Sequence, residues 1–234
     1  MHQNNSQTFI SYQGGSAGDL ITASLNSIKL NCNQVARIQS TDFSLKNKNA
    51  NTLENIQKVS STILWPYIST HEVRLFLDSD LSWISLEVTD LDIIYVCIFR
   101  QMQLQRLRIK VEESSTWFQT VKSLCRAKKY QAAAQYWFTQ SQNIWMNDME
   151  YRIRNRQHAT HCINLNELFN KKFAQQLQAQ LPTMDISMLK VNHELWLEKN
   201  HPGIWSKQLT IDAMTNKLQQ MDWTTLSGFI EYGG

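Results

Sequence analysis

The sequence predicts an α/β fold with a mostly parallel sheet and a helix-rich C-terminal half. Three observations lead there. Residues 8–12, Thr-Phe-Ile-Ser-Tyr, form a short β-rich run followed at once by Gln13-Gly14-Gly15-Ser16-Ala17-Gly18-Asp19 and then by apolar residues at 20, 21, 25 and 28, which share one helical face. That reads as strand, glycine loop, helix. Residues 93–99 are an unbroken apolar run of seven, rich in β-branched side chains, the pattern of a central strand covered on both faces. From residue 115 onward helical spacing dominates.

The remaining elements follow in chain order. Residues 31–55 are polar and irregular, with Asn47, Asn49, Asn51 and Asn55 among lysines, and read as a loop or insertion. Residues 53–63 fit a helix, Pro66–His71 a short strand ending in polar residues, and Trp83–Val88 another strand. The spans 115–126, 129–156 and 166–181 are helical in spacing, the middle one with an apolar stripe of Tyr130, Ala133, Ala134, Trp137, Phe138, Ile144 and Trp145. Residues 163–165 suggest a last short strand, with Asn166 placed to cap the helix after it. Two helices, 188–200 and 207–228, flank His201-Pro202-Gly203, and a loose tail follows. No internal repeat is visible.

Composition narrows the function classes. Net charge is only +3, and charged residues are 18% of the 234-residue chain, with 18 Asn and 22 Gln wetting the surface instead. A weakly electrostatic surface argues against nucleic acid as a partner, although Arg152, Arg154, Arg156 and His158 lie close to Trp145 and Tyr151. Seven apolar residues in a row fall far short of the roughly 20 needed to span a bilayer. The first residues, Met-His-Gln-Asn-Asn-Ser-Gln, lack the basic start and apolar stretch of a secretory leader, so a cytoplasmic location is expected. Cys32, Cys97, Cys125 and Cys162 are widely spaced without a C-x-x-C pair, which predicts reduced, mostly buried thiols and no structural zinc.

The glycine loop carries the most chemistry. In a strand-to-helix turn, glycines let main-chain N–H groups converge on the helix N-terminus and form an anion site. The G-x-x-x-x-G-K-[ST] consensus is absent, and Asp19 reads either as an ordinary N-cap or as a charge that repels an anion. His71 closes a candidate strand, where open parallel sheets bind ligands, and could act as a general base. Arg100 closes the buried run, where its guanidinium fork suits a phosphate or a simple salt bridge. Arg106, Arg108 and Lys110 follow it.

In order along the chain, these segments resemble the P-loop sulfotransferase family. FISYQGGSAGDLITASL (residues 9–25) is similar to that family's first strand, phosphosulfate loop P-K-S-G-T-T-W-L and following helix. PYISTH (66–71) resembles its strand ending in T-H, IIYVCIFR (93–100) its strand ending in a 3′-phosphate-binding arginine, and INLNELF (163–169) with LKVNHELWLEK (189–199) its Y-E-D-L segment and late helix. The departures are specific. Gly15 stands where the family has its loop lysine, Asp19 where it has the second threonine, Gln101-Met102 where it has Asn-Pro, and Arg108 where it has a second phosphate-binding serine; the R-K-G loop is missing.

The resemblance implies a single α/β domain of P-loop nucleotide-fold type over residues 1–234: a sheet core with phosphate loop over 8–110, a helical half over 111–205, and a C-terminal helix and tail over 206–234. It implies transfer of a sulfuryl group from 3′-phosphoadenosine 5′-phosphosulfate to an unidentified acceptor. Gly14, Gly15, Ser16, Ala17 and Gly18 would hold the phosphosulfate, His71 would be the base, and Arg100 with Arg108 would hold the 3′-phosphate. Without the loop lysine, stabilisation of the leaving group is unaccounted for. Two alternatives share the fold: a non-catalytic scaffold that binds a protein partner through its helical half, and a divergent nucleotide kinase.

Overall fold

The computed structural model describes residues 7–36, 42–45, 52–77, 79–104, 116–181, 187–200, 203, 205–221 and 223. Its elements are β1 (Thr8–Ser11), α1 (Gly18–Leu25), α2 (Cys32–Ala36), α3 (Leu53–Ser60), β2 (Tyr67–Thr70), β3 (Ser82–Glu87), α4 (Leu91–Leu104), α5 (Thr116–Arg126), α6 (Tyr130–Arg154), β4 (His161–Asn164), α7 (Phe173–Gln180), α8 (Ser187–Asn200) and α9 (Lys207–Gln219). Short 3₁₀ turns occupy Arg74–Phe76 and Arg156–His158. The protein is an α/β fold with a four-stranded, all-parallel sheet, and helix dominates the C-terminal half. No helix among the described residues is long and apolar enough to cross a membrane.

Contacts divide the chain into two compact units, residues 1–89 with 149–201 and residues 90–148 with 202–234. The division is discontinuous along the chain.

The first unit holds the sheet, in the order β2-β1-β3-β4. Thr8 to Ser11 run in register with Tyr67 to Thr70 on one side and with Ser82 to Ser85 on the other, and Ile84 to Glu87 pair with His161 to Asn164. Parallel strands need covered faces, and Phe9, Ile10, Ile68, Trp83, Ile84, Leu86 and Ile163 are all buried. Phe9, Ile68, Val73, Phe76 and Trp83 gather with Ile56 of α3 in one core cluster. In α1 the hydroxyls of Thr22 and Ser24 donate to the carbonyls of Gly18 and Leu20 one turn back, 2.9 and 2.8 Å, so both polar side chains sit in the interior without loss. Asn192 of α8 is wholly buried. It donates to Ser24 Oγ at 3.0 Å and to the Ile28 carbonyl at 2.8 Å, and accepts from the Leu30 N–H at 2.9 Å, which ties α8 to the end of α1.

The second unit is helical and corrects the sequence reading. Residues 93–99, expected as a buried strand, lie inside α4. An apolar β-branched run has the composition of either element, and what starts the helix is Asp90: its Oδ1 accepts from the N–H groups of Asp92 and Ile93 at 2.9 and 3.1 Å. Ile94, Val96, Cys97 and Ile98 are buried. Within this unit Tyr95 lies 5.5 Å from Phe138 and Phe99 5.2 Å from Trp205, ring centre to ring centre, and the indole of Trp145 donates to Gln101 at 3.2 Å.

Two helix bounds also move. Asn166 does not cap a helix; its amide exchanges two 2.8 Å bonds with Thr89, residues 166–172 are turns, and α7 begins only at Phe173. The last helix ends at Gln219, and the tail expected after it, residues 224–234, lies outside the described residues. Of the four cysteines, all free, Cys97 and Cys125 are buried while Cys32 and Cys162 are exposed.

Candidate functional site

The sheet order sets the location. β1 has β2 on one side and β3 on the other, so the chain leaves this central strand in opposite directions, and open parallel sheets bind ligands outside the carboxyl ends at such a point. Here the glycine loop leaves Ser11. Gly15 has φ 88° and Ala17 φ 59°, both left-handed. Glycine accepts that conformation freely, and alanine does so at a cost of about 1–2 kcal/mol. Left-handed residues in a strand-to-helix turn build the backbone concavity that receives anions. Ser16 is turned inward, its N–H and hydroxyl both donating to the Gln13 carbonyl at 3.2 and 2.6 Å. The hydroxyl therefore shapes the loop from inside, and Gly14, Gly15 and Ala17 stay partly exposed while Gly18 is buried.

Asp19 is not the N-cap expected from its position. Ala17 occupies the cap with no side-chain cap bond, and the Asp19 Oδ1 accepts from the hydroxyls of Tyr12 and Ser69, the latter at 3.0 Å. The carboxylate is held by two hydroxyl donors from the ends of β1 and β2. Tyr12 is 2% exposed, and burial, followed by the Asp19 charge, pushes its phenol well above the usual 10.0. Its ring covers Gly18 so closely that a Cβ there would lie 2.0 Å from the ring.

His71 follows the last residue of β2 and is exposed. Its Nδ1 lies 2.8 Å from the Tyr12 carbonyl. A carbonyl only accepts, so Nδ1 carries the proton and the neutral ring has its basic lone pair on Nε2. The imidazole packs on the Tyr12 ring at 4.8 Å. The histidine and the loop are thus joined at one residue, Tyr12.

Arg152, near the end of α6, is wholly buried. Its Nη1 donates to Ser11 Oγ at 2.7 Å and its Nη2 to the His71 carbonyl at 3.1 Å, while Ser11 Oγ donates to the Glu72 carbonyl. One guanidinium therefore clamps the root of the loop to the segment carrying the histidine. Sequence reasoning missed it, because Arg152, Arg154 and Arg156 read as one basic cluster. The signal was the helical spacing: Arg154 points outward to Glu150, while Arg156, beyond the end of α6, meets the buried Glu87 at 2.6 Å.

The other expected residues fare differently. Arg100 belongs to a helix of the second unit, where it is buried and desolvation lowers its pKa to about 10; the resemblance to a strand ending in a phosphate-binding arginine fails with the strand. Arg108 lies outside the described residues. Among the described residues no three His, Cys, Asp or Glu side chains converge as metal ligands. A surface cavity of about 550 Å³ in the second unit, lined by Lys128, Tyr130, Asp212, Thr215 and Asn216 among others, contains none of the expected site residues. Comparison with protein-family models, with curated proteins and with solved structures finds no match in any of the three.

Proposed function

We propose that this chain is a sulfotransferase-type group-transfer protein that binds 3′-phosphoadenosine 5′-phosphosulfate at the loop after β1 and uses His71 as base toward an acceptor. One observation carries this reading: α1 opens without a side-chain cap, because Ala17 at the cap position has no polar side chain, while the Asp19 carboxylate is engaged by Tyr12 and Ser69, so the main chain at the helix start is offered to an anion. The residues present fit such a group. Gly14, Gly15 and Ala17 would hold the phosphosulfate through their N–H groups, Gly18 being covered by the Tyr12 ring. When bound, the cofactor supplies the activated sulfuryl group; the protein's own part is to orient the acceptor and take its proton at His71 Nε2. Arg152 acts as a positioning residue, fixing Ser11 and the His71 carbonyl against each other. No 3′-phosphate contact is assigned to Arg100. A cytoplasmic location belongs to the same proposal.

A thermal shift with 3′-phosphoadenosine 5′-phosphate tests the reading. Stabilisation that grows with concentration supports it, and no shift at millimolar nucleotide defeats it. His71→Gln should keep the shift and lose acceptor sulfation.

The non-catalytic scaffold remains the second reading, favoured by the way the loop satisfies itself: Ser16 bonds inward and the Tyr12 ring seals Gly18, with no lysine in the loop. It predicts no nucleotide shift together with a stable protein partner in lysate. A shift with ATP and magnesium alone would instead indicate a kinase.

A further inference from the structure

Residues two apart on a strand face the same side, so Trp83, Ser85 and Glu87 share one face of β3. Trp83 Nε1, Ser85 Oγ and Glu87 Oε1 are buried and have no hydrogen-bond partner among the described residues. Buried polar groups are almost always paired, and three exceptions in succession along one strand face form a pattern. Trp83 stacks on Phe76 at 5.9 Å within the apolar cluster. Ser85 and Glu87 lie nearer the carboxyl end, about 7 Å apart along the strand.

Their surroundings are polar. Ser85 is in register with Ser11 of β1, whose hydroxyl takes the Arg152 bond at 2.7 Å. Glu87 is 4% exposed, and Arg156 Nη2 donates to its Oε2 at 2.6 Å; burial and the Glu87 charge also raise the Cys162 thiol above its usual value. Glu87 thus has one carboxylate oxygen engaged by Arg156 and the other buried without a partner among the described residues, on the strand face that also carries Ser85. Independently of this, β1 and β3 are the strand pair at which the sheet order reverses, where a ligand crevice is expected.

We infer that Ser85 and Glu87 form the acceptor subsite, and that it takes a neutral, hydroxyl-bearing molecule. This rests on the group-transfer reading above. A carboxylate oxygen only accepts, so the ligand must present an O–H or N–H. Glu87 is already paired with Arg156, and the Arg152 guanidinium lies on Ser11, in register with Ser85, which disfavours a cationic amine and leaves a neutral hydroxyl. Ser85 can donate or accept, so it serves a second hydroxyl of the same molecule; a polyol meets both demands.

The test is equilibrium binding of myo-inositol, with glucosamine as the matched cationic probe, to the full chain by saturation-transfer NMR. The wild type should bind myo-inositol saturably and at least threefold more tightly than glucosamine. Ser85→Ala and Glu87→Gln should each weaken it at least threefold, while the thermal shift with 3′-phosphoadenosine 5′-phosphate stays as in the wild type. Ser85→Ala removes a hydroxyl that has no partner, so it folds at least as stably and decides the matter where Glu87→Gln does not fold. Absence of saturable myo-inositol binding, a smaller loss in Ser85→Ala, or tighter binding of glucosamine overturns the subsite. Loss of the nucleotide shift in the wild type, with polyol binding intact, overturns the cofactor reading instead.

Discussion

Gly18→Ala should destabilise the first unit, against the usual benefit of alanine in a helix. A Cβ at this position would lie 2.0, 2.2 and 2.4 Å from Tyr12 Cγ, Cδ1 and Cδ2, where carbon atoms rest at roughly 3.5–4.0 Å. The ring must therefore retreat by about 1.5 Å, and it has little freedom to do so. It is 2% exposed, its hydroxyl is held by Asp19, and it packs on His71 at 4.8 Å. Overpacking costs about 1–3 kcal/mol, and losing a hydrogen bond to a charged acceptor about 1.5–3 kcal/mol. Helix propensity returns about 1 kcal/mol, for a net loss of about 1.5–5 kcal/mol. Urea unfolding followed by circular dichroism measures it. In a Tyr12→Ala background the same substitution should be neutral or stabilising, so a double-mutant cycle should yield a coupling near the full loss. Equal losses in both backgrounds, or no loss in the wild type, would refute the reasoning.

Other expectations follow from single groups. Arg152→Met should cost about 1.5–3 kcal/mol in urea unfolding and abolish any acceptor turnover supported by His71, because the clamp between Ser11 and the His71 carbonyl is lost. Burial lowers the pKa of His193 below 6.5. The unfolded chain therefore binds the proton first, and stability is full above about pH 6.5 and falls as pH drops below it, by up to about 1.4 kcal/mol per unit; His193→Gln should flatten that slope. The Tyr12 phenol has the opposite sign: raised in the fold, it contributes stability that is full below about pH 10 and lost as pH rises beyond it, and Tyr12→Phe should remove the alkaline dependence. Lys128, exposed at the α5–α6 junction with φ 57°, should gain about 1 kcal/mol on replacement by glycine, read as a higher Tm.

The sequence by itself determined the strand, glycine loop and helix at the start, the strands at 67–70 and 82–87, and the helical second half, because local periodicity and turn chemistry act within a few residues. It also singled out His71, since a polar residue closing a strand is visible in one dimension. It misread residues 93–99, where an apolar β-branched run suits a buried helix as well as a buried strand; the deciding signal, the Asp90 cap, lay just outside the run. Only the tertiary structure decided the rest. Asp19 reads as a cap in the sequence, but the helix opens with Ala17 at the cap, and Tyr12 and Ser69 hold the Asp19 carboxylate from the ends of two strands. Arg152 is separated from Ser11 by 141 positions, and no spacing rule reaches that far. The same holds for the face shared by Ser85 and Glu87: their alternation was legible, but the charges of Arg152 and Arg156 beside them depend on where the end of α6 and the turn after it pack.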